Sequence, residues 1–500
     1  MKARGGAALL GITAAACFLG TGCSKQSDPP VPVTLPPLPD PPDEAFRAAA
    51  PIVGERDLFT PPAVDRFTLP GGIDVVLVER HRLPVINWSL EFPAGTVTDP
   101  MGQEGRAALC MYLFVQGGAG NAVDQLADMG SEIYTSTGLE SAELDGFSLR
   151  DDLDRTLDLW AGVLNHPGVS SWSLDRLREE YEGRLLQSIG DPGGVAWRVF
   201  QIAARGPEHP YARRPSVASY GNVTVDDCQN FYREFVQVRG LHLYVAGDIT
   251  HDEVAQKFAP RIPTGPIGAP EPFIPGSSRD GTAVTFVNMP GASQAEILMW
   301  GPAPSLDAAD YNAAWTMLSI LAGNSITSRL GSDLREMMGS TYSVQGKLTS
   351  WKDDTWLTVE VPVQNDKTAA AMMAMVTGAA MMRETDVTDD ELSLVRDGAI
   401  AALPSQFATV SGTLDAFRRL VYYGLPATYF QDLPGKLAAV DKAAIRQAAN
   451  DYLPRLGLQF VVVGDATAVL PMLVGLTAPD GALPGTLRTV DVEGQPVNLR

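Results

Sequence analysis

The sequence predicts an α+β protein of two homologous domains, on three observations: a repeated set of landmarks, a Pro/Gly-rich stretch between the copies, and strands followed by helices in each copy. Residues 241–245 read as an apolar strand leading into Gly247-Asp248-Ile249-Thr250. Residues 458–463 lead in the same way into Gly464-Asp465-Ala466-Thr467, with the two glycines 217 positions apart. Earlier in each copy, a helix start at Val169 (Val-Ser-Ser-Trp-Ser-Leu) is matched by Val-Thr-Asp-Asp-Glu-Leu at Val387, 218 positions on. Two landmarks at nearly one spacing indicate duplication.

The elements follow from local pattern. In the first copy, residues 73–79 and 85–92 are rich in β-branched and aromatic residues and read as strands. Residues 106–115 are apolar nearly all round, the pattern of a buried helix. Strand signals recur at 131–135 and 141–149, followed by helices at about 152–164, 173–189 and 195–205. The second copy shows strands near 282–287, 343–350 and 356–362, and its Met-rich stretch from Met372 to Met382 reads as a buried helix. Residues 260–281, dense in Pro and Gly, read as the linker between an N-terminal domain at 56–259 and a C-terminal one at 282–475, leaving 476–500 as a tail. At 500 residues and 45% hydrophobic, the chain can bury a large core.

The first residues carry a different signal. Residues 1–22 read as a signal peptide: Lys2 and Arg4, an apolar stretch at 7–19 too short to span a bilayer, then Gly20-Thr21-Gly22. This small-residue run ending in Cys23-Ser24 resembles the lipobox of bacterial lipoproteins, whose cysteine is lipidated and becomes the first mature residue. Gly20 stands where that pattern prefers Leu, and ordinary cleavage with a free Cys23 is the alternative. The resemblance implies a membrane lipid anchor on the periplasmic side of the cell envelope, and Ser24 fits sorting to the outer membrane of a Gram-negative bacterium. Residues 23–55, with Pro29-Pro30, Pro36-Pro37 and Pro41-Pro42, then form a tether of extended polyproline character. Without residues 1–22, 36 basic side chains face 59 acidic ones, a net charge of −23 that argues against nucleic acid as a partner. Beyond Cys17 and Cys23, Cys110 and Cys228 are too few for a disulfide scaffold or a cysteine zinc site, and one disulfide is left open.

Gly71-Gly72-Ile73 to Glu79, Pro84-Val85, Ala94-Gly95-Thr96, Asp99-Pro100, Gly105-Arg106-Ala107 and His209-Pro210-Tyr211 occur in this order. They resemble the opening of the insulinase (pitrilysin) family of zinc peptidases, and with the duplication the resemblance covers about residues 65–470. It implies two insulinase-like αβ domains forming half of a clamshell. Active members carry His-x-x-Glu-His on the helix after the second strand, where two His hold Zn²⁺ and the Glu activates the metal-bound water. Counted from Gly105, those positions are Ala108, Met111 and Tyr112, and alignment through Asp191-Pro192 puts Arg184 at the further Glu ligand. Glu182 is two residues away from it, about 200° around a helix, and faces elsewhere. No two of His81, His166, His209, His242 and His251 lie at metal-binding helical spacing, and His209 before Pro210 reads as a structural loop residue. No metal and no cofactor are therefore expected on this chain.

The second copy contains Leu334-Arg335-Glu336-Met337-Met338-Gly339-Ser340-Thr341-Tyr342, which resembles the family's Arg/Tyr motif, with Arg335 and Tyr342 seven residues apart. The resemblance implies that this pair reaches substrate at the zinc site of the opposite half, where a cation and a hydroxyl donor stabilise an oxyanion. Some family members divide zinc motif and Arg/Tyr pair between two chains, and this sequence resembles the second kind. The expectation is a catalytically incomplete subunit that pairs with a zinc-bearing partner chain, admits unfolded peptides, and supports proteolysis only in that pairing. The alternative is a non-catalytic peptide-binding or scaffold lipoprotein of the envelope.

Overall fold

A computed structural model describes residues 59–499 except 119–121, 237–240, 264, 266–280, 339–342, 353 and 454–456; the leader, Cys23 and the whole tether fall outside the described residues. Two six-stranded sheets organise the unit Phe59–Arg500. The first contains β1 (Asp65–Leu69), β2 (Ile73–Glu79), β3 (Val85–Phe92), β4 (Glu132–Thr137), β5 (Ala142–Leu149) and β6 (His242–Gly247), in the order β1-β2-β6-β3-β5-β4. The second contains β7 (Ala283–Asn288), β8 (Gln294–Pro302), β9 (Gln345–Ser350), β10 (Thr355–Gln364), β11 (Gln459–Gly464) and β12 (Thr486–Val490), in the order β12-β7-β11-β8-β10-β9. Five strands correspond one to one. In each sheet the last of these five returns to lie between the first two, parallel to the first (β6 on β2, β11 on β7) and antiparallel to the next.

The helices repeat as well. The first half carries α1 (Arg106–Gly118), α2 (Ala122–Asp128), α3 (Leu153–Asn165), α4 (Ser171–Ile189), α5 (Pro192–Arg205), α6 (Val217–Asn222), α7 (Val225–Phe231) and α8 (His251–Phe258). The second carries α9 (Tyr311–Ala322), α10 (Arg329–Met338), α11 (Thr368–Glu384), α12 (Asp389–Ala402), α13 (Val410–Tyr422), α14 (Tyr429–Ala438), α15 (Lys442–Tyr452) and α16 (Ala466–Thr477). Both α4 and α12, and both α5 and α13, start 218 positions apart, the spacing expected from the helix starts alone. The Met-rich stretch is α11, with Met372, Met375 and Met382 in the core of the second half and Met381 exposed.

Each half lends a helix to the other's sheet. On α5, Val195, Val199 and Phe200 cover Leu298, Trp300, Trp356, Val461 and Val463 of the second sheet. Leu414, Phe417 and Leu420 of α13 cover Val76, Val78, Tyr244 and Ala246 of the first. With their own helices on the opposite face, the central strands are buried on both sides, which is why β2 and β11 read as nearly continuous apolar runs. At the end of α5, Arg205 pairs with the Asp354 carboxylate at 2.7 Å and lies 4.4 Å over the Trp351 ring, tying the halves together.

Residues 476–500 are not a tail: β12 adds in parallel to β7, with Leu487 opposite Val284, and closes the second sheet's edge. Its Thr-Leu-Arg-Thr-Val sequence is short, carries a charge and is buried mainly at Val490, as suits an edge strand, so its pattern is weak. The corresponding edge of the first sheet is β1, antiparallel to β2, also without a strong apolar signal.

The exchanged α5 packing buries an acid. Glu296 on β8 has Glu360 and Asp191 as its charged neighbours, and burial with these like charges pushes its carboxyl from 4.5 up to about 8. The folded state therefore binds a proton there that the unfolded chain releases above pH 4.5, so the group's contribution is full at low pH and is lost as pH rises through 8. Glu296→Gln is expected to raise stability at pH 8.5 by roughly 2–4 kcal/mol and to change it little at pH 4.5, in urea titrations at the two pH values. A gain of equal size at both values would contradict this reading.

Candidate functional site

Helix α1, the one expected to carry the metal motif, is held firmly at its N-terminus. The Asp99 carboxylate accepts from the backbone N–H groups of Gly105 and Ala107 at 2.7 and 2.8 Å, satisfying donors that the helix cannot satisfy itself. Arg106 lies 3.9 Å from the same carboxylate and donates to the Thr98 carbonyl at 2.7 Å. Burial pushes the Asp99 carboxyl up to about 6 against these stabilising contacts. Further along, Cys110 forms a disulfide with Cys228 of α7, closing a 118-residue separation, and both cysteines are fully buried.

Around this helix the positions where the resemblance would place metal donors are engaged in packing. Met111 is buried in the core with Phe92, Leu144 and Val163. Ala108 offers no donor atom. Tyr112 packs edge-on against Tyr181 of α4, ring centroids 6.2 Å apart, and Tyr181 packs on Tyr220 at 5.8 Å. Arg184, one turn further along α4, stacks 5.3 Å from the Tyr181 ring and pairs with Glu180 at 2.5 Å. A methyl group, a thioether, a phenol engaged in ring packing and a permanent cation do not fit Zn²⁺, which is bound by thiolate, imidazole or carboxylate. Among the described residues, no three His, Cys, Asp or Glu side chains are grouped to hold a metal ion.

The histidines serve elsewhere. His209 Nδ1 accepts from the Tyr211 N–H at 3.1 Å at the start of a short turn. His81 joins Asp248 and Glu79 at 2.7 and 3.2 Å on the surface, contacts that raise its pKa, and His251 meets Asp65 at 2.6 Å.

Arg335 is exposed on α10 and makes no ion pair with any described residue. The helix that presents it is fixed: Leu330 and Leu334 are buried in the core, and Arg329 grips Glu391 of α12 in a two-pronged pair at 2.7 and 2.8 Å. That pair holds the Glu391 carboxyl down to about 2. Tyr342 lies outside the described residues.

Two features were not read from the sequence. One is the disulfide. The other is a cavity of about 430 Å³ beside Arg184, between α4 and α5, with Arg198, Arg214, Tyr181 and Trp197 in its wall. A separate cavity of about 250 Å³ lies in the second half, walled mainly by apolar residues such as Leu306, Trp315, Leu420 and Phe430, with Asn312, Gln406 and Arg419 also in its wall.

The fold has recognisable counterparts. Residues 222–398 match the family described as Peptidase M16 inactive domain. The chain is similar to an uncharacterised zinc protease of Mycobacterium leprae, 23% identical over 67% of this chain and 76% of the relative. The solved peptidase M16 inactive domain from Pseudomonas fluorescens superposes with a TM-score of 0.73 at 21% identity, covering 81% of this chain and 99% of that one. A protease from Helicobacter pylori gives the same TM-score at 18% identity, covering 80% and 99%. The chain thus has the M16 inactive-domain fold and distant zinc-protease homologues.

Proposed function

We propose that this chain is a catalytically incomplete insulinase-type subunit that pairs with a zinc-bearing chain and supplies Arg335 and Tyr342 to a peptide site whose metal lies on the partner. The observation that carries the reading is the contrast between two helices. In α1 the donor positions have become alanine, methionine and tyrosine, whereas α10 keeps an exposed arginine on a rigidly anchored turn. Loss of one half of a catalytic pair with retention of the other is what a division of labour between chains would leave. Each chain then forms half of a clamshell, and the enclosed chamber favours unfolded peptides.

Location in the cell envelope is part of the same proposal. The buried Cys110–Cys228 disulfide supports it, since such bonds persist in oxidising compartments and are rare in the cytosol. Lipidation at Cys23 would tether the subunit to the membrane there.

The non-catalytic alternative, a peptide-holding or scaffold lipoprotein, is favoured by the open cavity beside Arg184, which offers a binding surface without chemistry. Affinity capture of the native chain from envelope extracts separates the two readings. Recovery of a stoichiometric companion with an intact His-x-x-Glu-His, and of peptidase activity only in the joined fraction, is the expected result. Capture of the chain with no such companion would contradict the proposal.

A further inference from the structure

The cavity between α4 and α5 is walled by cations. Arg184, Arg198 and Arg214 line it with Gln201, Tyr181 and Trp197, and none of its lining residues is acidic. The partners of the arginines differ. Arg184 is paired with Glu180 at 2.5 Å. Arg198 donates to the Glu493 carboxylate and to the carbonyls of Val492 and Pro215 at 3.0 and 2.9 Å. Arg205, nearby on α5, has Asp354. Arg214 has no carboxylate partner among the described residues, and the charges that act on it are those of Arg198 and Arg205. Burial and these two like charges pull its guanidinium down to about 10.

Arg214 is half-buried, and a partly desolvated cation beside two others is disfavoured unless an anion compensates it. Here the uncompensated arginine stands at the wall of a cavity rather than in solid packing. The aromatic rings of Tyr181, Trp197 and Tyr220 give the same cavity flat apolar walls that a bare inorganic ion would leave uncovered. We propose that this pocket binds a carboxylate borne on a peptide, with Arg214 as its principal counter-ion and the rings as the wall for the adjoining side chain. A guanidinium fork matches a carboxylate through two parallel hydrogen bonds, which supplies orientation as well as attraction. The peptide as carrier rests on the peptide-handling reading above; the anion site rests on the cavity alone.

The test uses the purified chain without any partner, so that its failure is separate from failure of the proposed pairing. Three fluorescent hexapeptides of one aromatic-containing sequence are compared by anisotropy: a free C-terminal acid, its amide, and the amide with one internal glutamate. Either carboxylate-bearing peptide is expected to bind at least about tenfold more tightly than the neutral amide, and the better of the two identifies the carboxylate as terminal or side-chain. Arg214→Gln is expected to lose about tenfold or more of that affinity, Arg214→Lys to keep part of it, and the melting temperature of Arg214→Gln to stay level or rise, because a half-buried cation crowded by two others is removed. Equal binding of acid and amide, unchanged affinity in folded Arg214→Gln, or a large loss of stability in that variant would overturn the proposal. Inorganic phosphate competing as strongly as the acid peptide would overturn the assignment to a peptide carboxylate.

Discussion

Replacement of Cys228 by alanine is expected to destabilise the protein by up to about 5 kcal/mol, because cross-linking a loop on the order of 100 residues removes that much chain entropy from the unfolded state. The separation of 118 residues between Cys110 and Cys228 places this bond at the strong end of the range. The bond also joins α1 to α7 inside the first-half core, where Cys110 and Cys228 are packed with Phe231 and Leu113. Losing it exposes two effects together: a larger unfolded ensemble, and a buried thiol in place of a cross-link. Urea titration of the wild type, of Cys228→Ala and of the double Cys110→Ala/Cys228→Ala variant measures the difference directly. A shift of the midpoint in both variants, reproduced by reducing agent in the wild type alone, is the expected pattern. Identical midpoints in oxidised and reduced protein would show that the bond contributes nothing.

In a complex with a zinc-bearing partner, Arg335→Ala is expected to lower kcat/KM for an unfolded peptide by roughly 10²–10³-fold, the scale associated with removing one donor to a developing oxyanion. The structure makes this variant informative. Arg335 is exposed and ion-paired to no described residue, so its removal leaves folding within about 0.5 kcal/mol of wild type. Complex formation and the partner's zinc content are therefore expected to stay unchanged while turnover falls. Tyr342→Phe, which deletes a single hydroxyl, is expected to show a loss of the same sign. Full turnover in both variants, with the complex intact, would remove the catalytic role and leave the peptide-holding reading.

How far these features were legible in the sequence varied with their physical origin. Strands β2 and β3 lie where the sequence places them, at Ile73–Glu79 and Val85–Phe92, and begin there because Gly71-Gly72 and Pro84 break the chain just before each. The duplication was legible because helix starts and strand-to-glycine turns are local signals that survive in both copies. The edge strand β12 was not, since half-exposed strands with a central arginine lack the pattern that marks buried ones. At Ala108, Met111 and Tyr112, where the resemblance would place metal donors, the unsuitability of the side chains is a matter of chemistry and could be read without coordinates. The disulfide was not derivable in that way: Cys110 and Cys228 sit in apolar surroundings where a free cysteine packs as a small hydrophobe, and only tertiary packing brings them 5.1 Å apart at Cα. The cavity at Arg214 is likewise a product of α4 and α5 meeting the chain before α6. Its one sequence trace is an arginine at position 198 between the apolar Trp197 and Val199 of α5.

The proposed division of labour requires that α1 and α4 hold no catalytic metal. The most direct measurement is zinc content and peptide hydrolysis of the purified chain alone, before and after incubation with zinc and with a chelator. The expected result is no stoichiometric zinc and no hydrolysis under any of these conditions. A full equivalent of bound zinc, with hydrolysis that a chelator abolishes and added zinc restores, would contradict it.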